Sequence, residues 1–106
     1  MTTFDDREQA FENKFKHDQD LRFRILARRA KLIGLWAAGH LGMAGAEAEA
    51  YARQVVDADF EEPSHRDILA HLHKDLSARG VDISEHRIQK EMEHLLEVAR
   101  EQVTSE

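Results

Sequence analysis

The stretch LRFRILARRAKLIGLWAAGHL, residues 21–41, decides the fold of this chain. Its second half, residues 32–41, is nearly all apolar and contains the only tryptophan. Because a helix that is apolar on every side has to be surrounded by other helices, we interpret the stretch as the long, buried spine of a helical domain. The first half of the stretch is a basic collar without acidic residues, formed by Arg22, Arg24, Arg28, Arg29 and Lys31.

Composition points to one small all-α domain. The chain has 106 residues, which is close to the commonest domain size. A single proline and the lack of any alternating strand-type segment favour helix throughout. The absence of cysteine excludes disulfides and thiolate metal sites. The longest apolar run is about ten residues, roughly half of what a bilayer span requires, so we expect a cytoplasmic protein without direct membrane insertion.

Three further helices are predicted after the spine, and with it they form a four-helix bundle joined by short loops. The first covers residues 46–59, the second is opened by Pro63 and Ser64 and ended by Gly80, and the third is capped by Ser84. Each carries one apolar stripe at helical spacing. The residues expected to face the core are Ala48, Tyr51, Ala52, Val55, Ile68, Leu69, Leu72, Leu76, Ile88, Met92, Leu95, Leu96, Ala99 and Val103.

Residues 1–19 are predicted to form a mobile, partly helical N-terminal segment ahead of a bundle domain of residues 20–106. Three phenylalanines recur at helical spacing along one side of this segment: Phe4, Phe11 and Phe15. A short helix with three aromatic anchors is marginal by itself. The rings either pack on the bundle as a frayed terminus or insert into the groove of a partner, in which case Asp18–Asp20 is the expected hinge.

Three cations of the basic collar, Arg24, Arg28 and Lys31, are spaced i, i+4 and i+7 and therefore share one face of the spine. Guanidinium groups hold phosphate through paired N–H bonds, so this face is a candidate nucleotide site, with Trp36 or Tyr51 as candidates for stacking on the base. The alternative is that these cations pair with the acidic ends of the second and fourth helices of the bundle. Both can hold at different times.

Other functions find little support in the sequence. A net charge of −6, with acidic stretches on both sides of the collar, argues against general nucleic-acid binding. The GVDIS turn resembles that of a helix-turn-helix, but the acidic helix after it would be repelled by DNA. Glu91 and His94 match the Glu-x-x-His motif of di-iron bundles but lie off the apolar stripe, and Glu62 and His65 repeat the motif only in a loop. With no nucleophile motif or phosphate loop, neither catalytic residues nor metal ligands are predicted.

Four stretches resemble a known family: TTFDDREQAFENKF (2–15), ARRAKLIGLWAA (27–38), GAEAEAYA (45–52) and DFEEP (59–63). Over essentially its whole length the chain is similar to the zeta subunit of the alphaproteobacterial F-type ATP synthase. The resemblance implies a four-helix protein that is not an enzyme and that regulates the catalytic sector of the synthase. In that family the N-terminal segment inserts between catalytic subunits and blocks rotation in the ATP-hydrolysing direction.

Carried over onto this sequence, the inhibitory segment covers residues 2–19. The implied partners are the α, β and γ subunits of the catalytic sector, reached from the cytoplasm at the periphery of the inner membrane. The family is also associated with the binding of ADP or ATP, so a nucleotide is a possible ligand of this chain. No cofactor is expected to be required. The alternative function is that of a module that senses ADP or ATP. The residues expected at the partner are Thr3, Phe4, Asp5, Arg7, Phe11, Lys14 and Phe15, and those expected at the nucleotide are Arg24, Arg28, Lys31 and Trp36.

Overall fold

The computed structural model describes residues 3–61 and 65–106, with their side chains at all positions except 3–9, 11–12, 61 and 65–66. Within these residues the chain forms four helices and no strand, which confirms the predicted all-α four-helix bundle. The molecule is elongated, 65 Å long and 25 by 22 Å across. The helices are α1 (Thr3–His40), α2 (Gly45–Glu61), α3 (His65–Ala78) and α4 (Glu85–Thr104).

Helix α1 is longer than expected because it absorbs the N-terminal segment. Its 38 residues form one unbroken helix, and at 1.5 Å per residue it is about 57 Å long. The helix continues through Asp18–Asp20 without a break, and the hinge expected there on insertion into a partner stays a prediction. The sequence at that point contains neither glycine nor proline, and without such a residue nothing local ends a helix.

The core of the bundle lies around the second half of α1, which packs between α2 and α4, while α3 covers the remaining side. Ile33, Ala37 and Ala38 of α1 are fully buried, as the apolar run predicted. The expected stripes of the other helices are confirmed. Of the residues predicted to face the core, those buried are Tyr51, Ala52, Val55, Ile68, Leu72, Leu76, Ile88, Met92, Ala99 and Val103, and those packed at its edge are Ala48, Leu69, Leu95 and Leu96.

The ends of the helices follow the predicted turn chemistry where the structure describes them. Gly42 after α1 and Gly80 after α3 have positive φ angles of 82° and 75°, a conformation that glycine adopts without a steric penalty. Ser84 caps α4 as expected, since its hydroxyl oxygen accepts a hydrogen bond of 3.1 Å from the backbone N–H of Arg87. The predicted opening of α3 at Pro63 and Ser64 lies outside the described residues.

Helices α1 and α2 approach closely at one position. A Cβ atom added to Gly34 would lie 2.8 Å from the Cα atom of Ala52 and 3.3 Å from the Cβ atom of Val55. Backbone on the opposite side cannot yield as a flexible side chain can, so only glycine fits there. The small side chains of α1 and α2 therefore fix the distance between the two helices.

This contact predicts that Gly34→Ala destabilises the fold by about 1–3 kcal/mol, because the added methyl group forces α1 and α2 apart. Gly39→Ala is the matched control on the same helix, since a Cβ atom there meets nothing within 4 Å. It should leave stability unchanged or raise it by about 0.5–1 kcal/mol through better helix propensity. Urea unfolding followed by circular dichroism measures both, and equal effects of the two substitutions would contradict the assigned contact.

Candidate functional site

The N-terminal part of α1 projects from the bundle. Every described side chain from Asn13 to Asp20 is exposed, and Ile25 is the first of the described side chains of α1 that is buried. Phe15 is 57% exposed, so this ring does not pack on the bundle as the frayed-terminus interpretation required. An exposed aromatic ring on a projecting helix leaves apolar area available for a partner.

The register of α1 places the predicted aromatic positions on one side of the helix. At ~100° per residue, positions 4, 11 and 15 lie within about 40° of one another around the axis. Among the predicted partner residues, Lys14 and Phe15 are both exposed. The side chains of the other five, Thr3, Phe4, Asp5, Arg7 and Phe11, lie outside the described residues.

Two cations of the basic collar hold the end of α4. Nη2 of Arg24 donates a hydrogen bond of 3.1 Å to Oε2 of Glu106, and Arg28 donates to the other carboxylate oxygen. Nη1 of Arg28 also donates to the side-chain oxygen of Gln102 at 3.0 Å. We call this set of four residues the Glu106 clasp. The clasp is the pairing of the collar with the acidic end of α4 that the sequence analysis gave as the alternative to phosphate binding.

The clasp lowers the pKa of the Glu106 carboxyl group below its ordinary value of 4.5. The largest cause is the hydrogen bond from Arg28, and the charges of Arg28 and Arg24 act in the same direction. The carboxylate is solvent-exposed, and exposed ion pairs of this kind contribute little to stability. The clasp therefore shows where the end of α4 lies on α1 and adds little to the stability of the fold.

The other cations of the collar serve other contacts. Lys31 is exposed and lies on a groove formed with Glu49 and Arg53 of α2. Arg29 is half-buried, and this burial lowers the pKa of its guanidinium group, while the nearby carboxylate of Asp59 partly offsets the effect. The structure thus brings Arg24 and Arg28 together and directs the rest of the collar elsewhere.

The aromatic residues proposed for base stacking do not join the two clasp arginines. Trp36 packs against the core, and its ring meets the edge of His40 at a centroid distance of 4.7 Å. Position 36 lies about 140° around the helix from position 31. Tyr51 is only 9% exposed, and its hydroxyl donates to the carboxylate of Asp75 at 2.7 Å. The nucleotide site of Arg24, Arg28, Lys31 and Trp36 stays a prediction.

Two features of the structure had no counterpart in the sequence analysis. The rings of Phe23 and Phe60 stack at 5.0 Å with an angle of 21° between their planes, and both remain about half exposed. The carboxylate of Asp75 also pairs with His71 at 3.2 Å while it accepts from Tyr51, and burial is the main cause that raises the pKa of Tyr51. For the stack, the sequence offered one signal, which is that Phe23 is an apolar residue between two arginines.

Two general properties hold for the part of the chain that the structure describes. No three histidine or acidic side chains lie close enough together to hold a metal ion. None of its helices combines the length and the apolar character that crossing a bilayer demands.

These observations define a class of protein: a small helical bundle with a projecting helical extension on which the ring of Phe15 is exposed. The sequence model of the family ATPase inhibitor subunit zeta matches residues 1–102. Among curated proteins, no sequence matches closely enough to count as a relative. The chain belongs to the ATPase inhibitor subunit zeta family, whose name supports a role as an ATPase inhibitor with an ATP synthase as partner.

The clasp makes a prediction for the titration of Glu106. Because the folded-state pKa is lowered, the stability from the clasp is fully present above the ordinary glutamate pKa and is lost as the pH falls through the lowered value. Arg28→Gln should return the pKa of Glu106 toward 4.5, and Arg24→Gln should move it less, because the Arg28 hydrogen bond is the larger cause. Carboxyl NMR during an acid titration measures each pKa. An ordinary pKa for Glu106 in the unaltered chain would contradict the clasp.

Proposed function

We propose that this protein inhibits ATP hydrolysis by the ATP synthase through the projecting part of α1, with residues 1–19 as the inhibitory segment. The segment inserts between an α and a β subunit near the γ subunit and prevents rotation in the hydrolysing direction. The observation that carries the proposal is the 57% exposure of Phe15 on a helix that has left its own bundle. The match to the inhibitor family over residues 1–102 supports the same role.

The proposed inhibition is mechanical and needs no chemistry from this chain. A helix wedged between two subunits that must change their contacts on each catalytic step stops the step by occupying the space. Burying a phenylalanine side chain contributes about 1.5–3 kcal/mol. Phe15, together with Phe4 and Phe11 on the same side of α1, can therefore supply much of the affinity for the synthase. The polar positions proposed for the partner, Thr3, Asp5, Arg7 and Lys14, then fix orientation.

Continuity of α1 lowers the free-energy cost of this insertion. An isolated helix of fewer than about 12–15 residues is marginal in water because its first turn has to nucleate. Here residues 25–40 are already helical and held by the bundle, so the inhibitory segment extends an existing helix. Less of the binding free energy is then spent on ordering the segment.

The proposal predicts that deleting residues 2–18 abolishes inhibition while the bundle stays folded, because the core begins beyond them. Phe15→Ala in the full chain should weaken inhibition by at least about tenfold, the effect of losing one central aromatic anchor. The measurement is ATP hydrolysis by the cognate synthase as a function of added protein.

Phe23→Ala is the matched control for the point substitution. Phe23 is as exposed as Phe15, at 57%, but it lies on another side of α1 and stacks on Phe60. Its loss should cost the bundle about 0.5–1.5 kcal/mol and leave inhibition within about twofold. Full inhibition by the chain that lacks residues 2–18 would refute the proposal.

A second candidate function is nucleotide sensing, and the Glu106 clasp is the observation that favours it. Two guanidinium groups that converge on a carboxylate present the same donors that bind phosphate. In this version ADP or ATP displaces Glu106 from Arg24 and Arg28 and thereby frees the end of α4. Lys31 lies about one turn further along the same face of α1 and would add a third positive charge.

This candidate predicts that ADP shifts the backbone NMR signals of residues 24–31 and that Arg28→Glu abolishes the shift. Glu106→Gln should tighten binding, because the competing carboxylate is gone. Arg22→Glu serves as the control, since Arg22 takes no part in the clasp and lies about 160° around α1 from Arg24. No shift at millimolar ADP or ATP would eliminate nucleotide sensing.

A further inference from the structure

The aromatic side of the inhibitory segment does not end where the bundle begins. In α1, positions 4, 11, 18 and 25 follow one another at intervals of seven residues, and positions 15 and 22 do the same. Seven residues are close to two full turns, so each row keeps nearly the same direction along an unbroken helix. The rows that start at the phenylalanines therefore run onto Asp18, Arg22 and Ile25, where α1 meets α4.

A groove lies at the end of these rows, between α1 and α4. It has a volume of about 450 Å³, and its apolar lining comes from half-buried leucines: Leu21 and Leu26 of α1 and Leu96 of α4. Its polar rim is formed by Asp18, Arg22 and Arg100. Beside the groove, α1 and α4 touch through Ile25, Ala99 and Val103.

The rim carries two guanidinium groups, from Arg22 and Arg100, and one carboxylate, from Asp18. Arg22 makes no ion pair with any side chain that the structure describes. Arg100 pairs only with Glu97 on its own helix, at 3.1 Å, with both side chains more than half exposed. Exposed pairs of this type are weak and exchange readily. An acidic group that enters the groove would therefore meet two available guanidinium groups.

We infer that this groove is the inner end of the partner-binding surface and that it takes an amphipathic helix of the synthase catalytic sector. The apolar side of that helix packs on the three leucines, and an acidic residue at its edge pairs with Arg22 and Arg100. The inference rests on the proposed function, because it is the continuity with the inhibitory segment that leads a partner into the groove. The bundle then contacts the partner directly, in addition to carrying the inhibitory segment.

The chain's own N-terminus is not the occupant. Phe15 lies only six residues before Leu21 in one continuous helix, so the segment cannot fold back into the groove unless α1 breaks. A break would forfeit helical hydrogen bonds at a point without glycine or proline. An apolar groove on the flank of the same continuous helix is a place where a partner helix can lie alongside α1.

The test uses the absence of native cysteine. Arg100→Cys and, as the matched control, Arg87→Cys are each labelled with a fluorophore in the full chain. Both arginines are exposed on α4 and both pair with a glutamate on the same helix, but Arg87 lies at the opposite end, away from the groove. On binding to the cognate catalytic sector, iodide quenching at position 100 should fall at least threefold and quenching at position 87 should stay unchanged.

A functional readout accompanies the labels. Arg100→Glu should weaken inhibition of ATP hydrolysis by about tenfold, and Arg87→Glu should change it by less than about twofold, because only the former opposes an acidic partner group. Inhibition that persists in both variants, with position 100 as open to iodide in the complex as in the free protein, overturns the groove and leaves the proposed function standing.

The remaining outcomes separate the other occupants. Protection of position 100 in the free protein at low concentration would mean that the chain covers its own groove. Protection that grows with protein concentration, without the synthase, would mean that a second copy fills it. Either result overturns the inference. Failure of the proposed function is recognised separately, by full inhibition from the chain that lacks residues 2–18.

Discussion

The contact between Gly34 and Ala52 is the constraint on which the rest of the bundle depends. It lets the backbone of α2 lie very close to that of α1. A Cβ atom on Gly34 would lie only 2.8 Å from the Cα atom of Ala52. With α2 held there, Tyr51 reaches Asp75 on α3 and Phe60 reaches Phe23 on α1. The same packing leaves the opposite flank of α1 to α4. The missing methyl group at Gly34 thus sets the distance between α1 and α2.

Much of this fold could be predicted from the sequence because helix packing leaves a periodic record. The stripe from Ile88 to Val103 is buried as its spacing indicated, and Ser84 caps α4 as a serine before an acidic first turn should. The structure shows α1 continuous through Asp18–Asp20, and the hinge expected there in a partner's groove stays a prediction. Three polar residues in a row mark an exposed side of a helix as readily as a loop, and only glycine or proline would have distinguished the two.

The candidate site was less predictable because its contacts join residues far apart in the sequence. In the sequence the basic collar forms one cluster of cations, but in the structure its side chains contact α4, lie near α2 or line a groove. Arg24 and Glu106 are separated by 82 residues, and Phe23 meets Phe60 across two helices. Periodicity tells which side of a helix is apolar and not which helix covers it, so the stack had no signature. The clasp was foreseen only as a general pairing of the collar with the acidic ends of two helices. The exposure of Phe15 decides between the two interpretations that its stripe allowed, because a ring packed on the bundle as a frayed terminus would be buried.

The lengths of the helices explain why an inhibitor can be built in this way. Helix α4 ends at Thr104, close to Gln102 of the clasp, and Phe60 near the end of α2 stacks on Phe23. Ahead of Asp18, every side chain of α1 that the structure describes is exposed. When the shorter helices of a bundle end at the same level along a longer helix, the rest of the longer helix is exposed. Each turn beyond that level is stabilised only because it extends an existing helix, and by any partner that it binds. In such an architecture the strength of an inhibitor can be tuned by residues in the projecting turns without any change in the core that holds them.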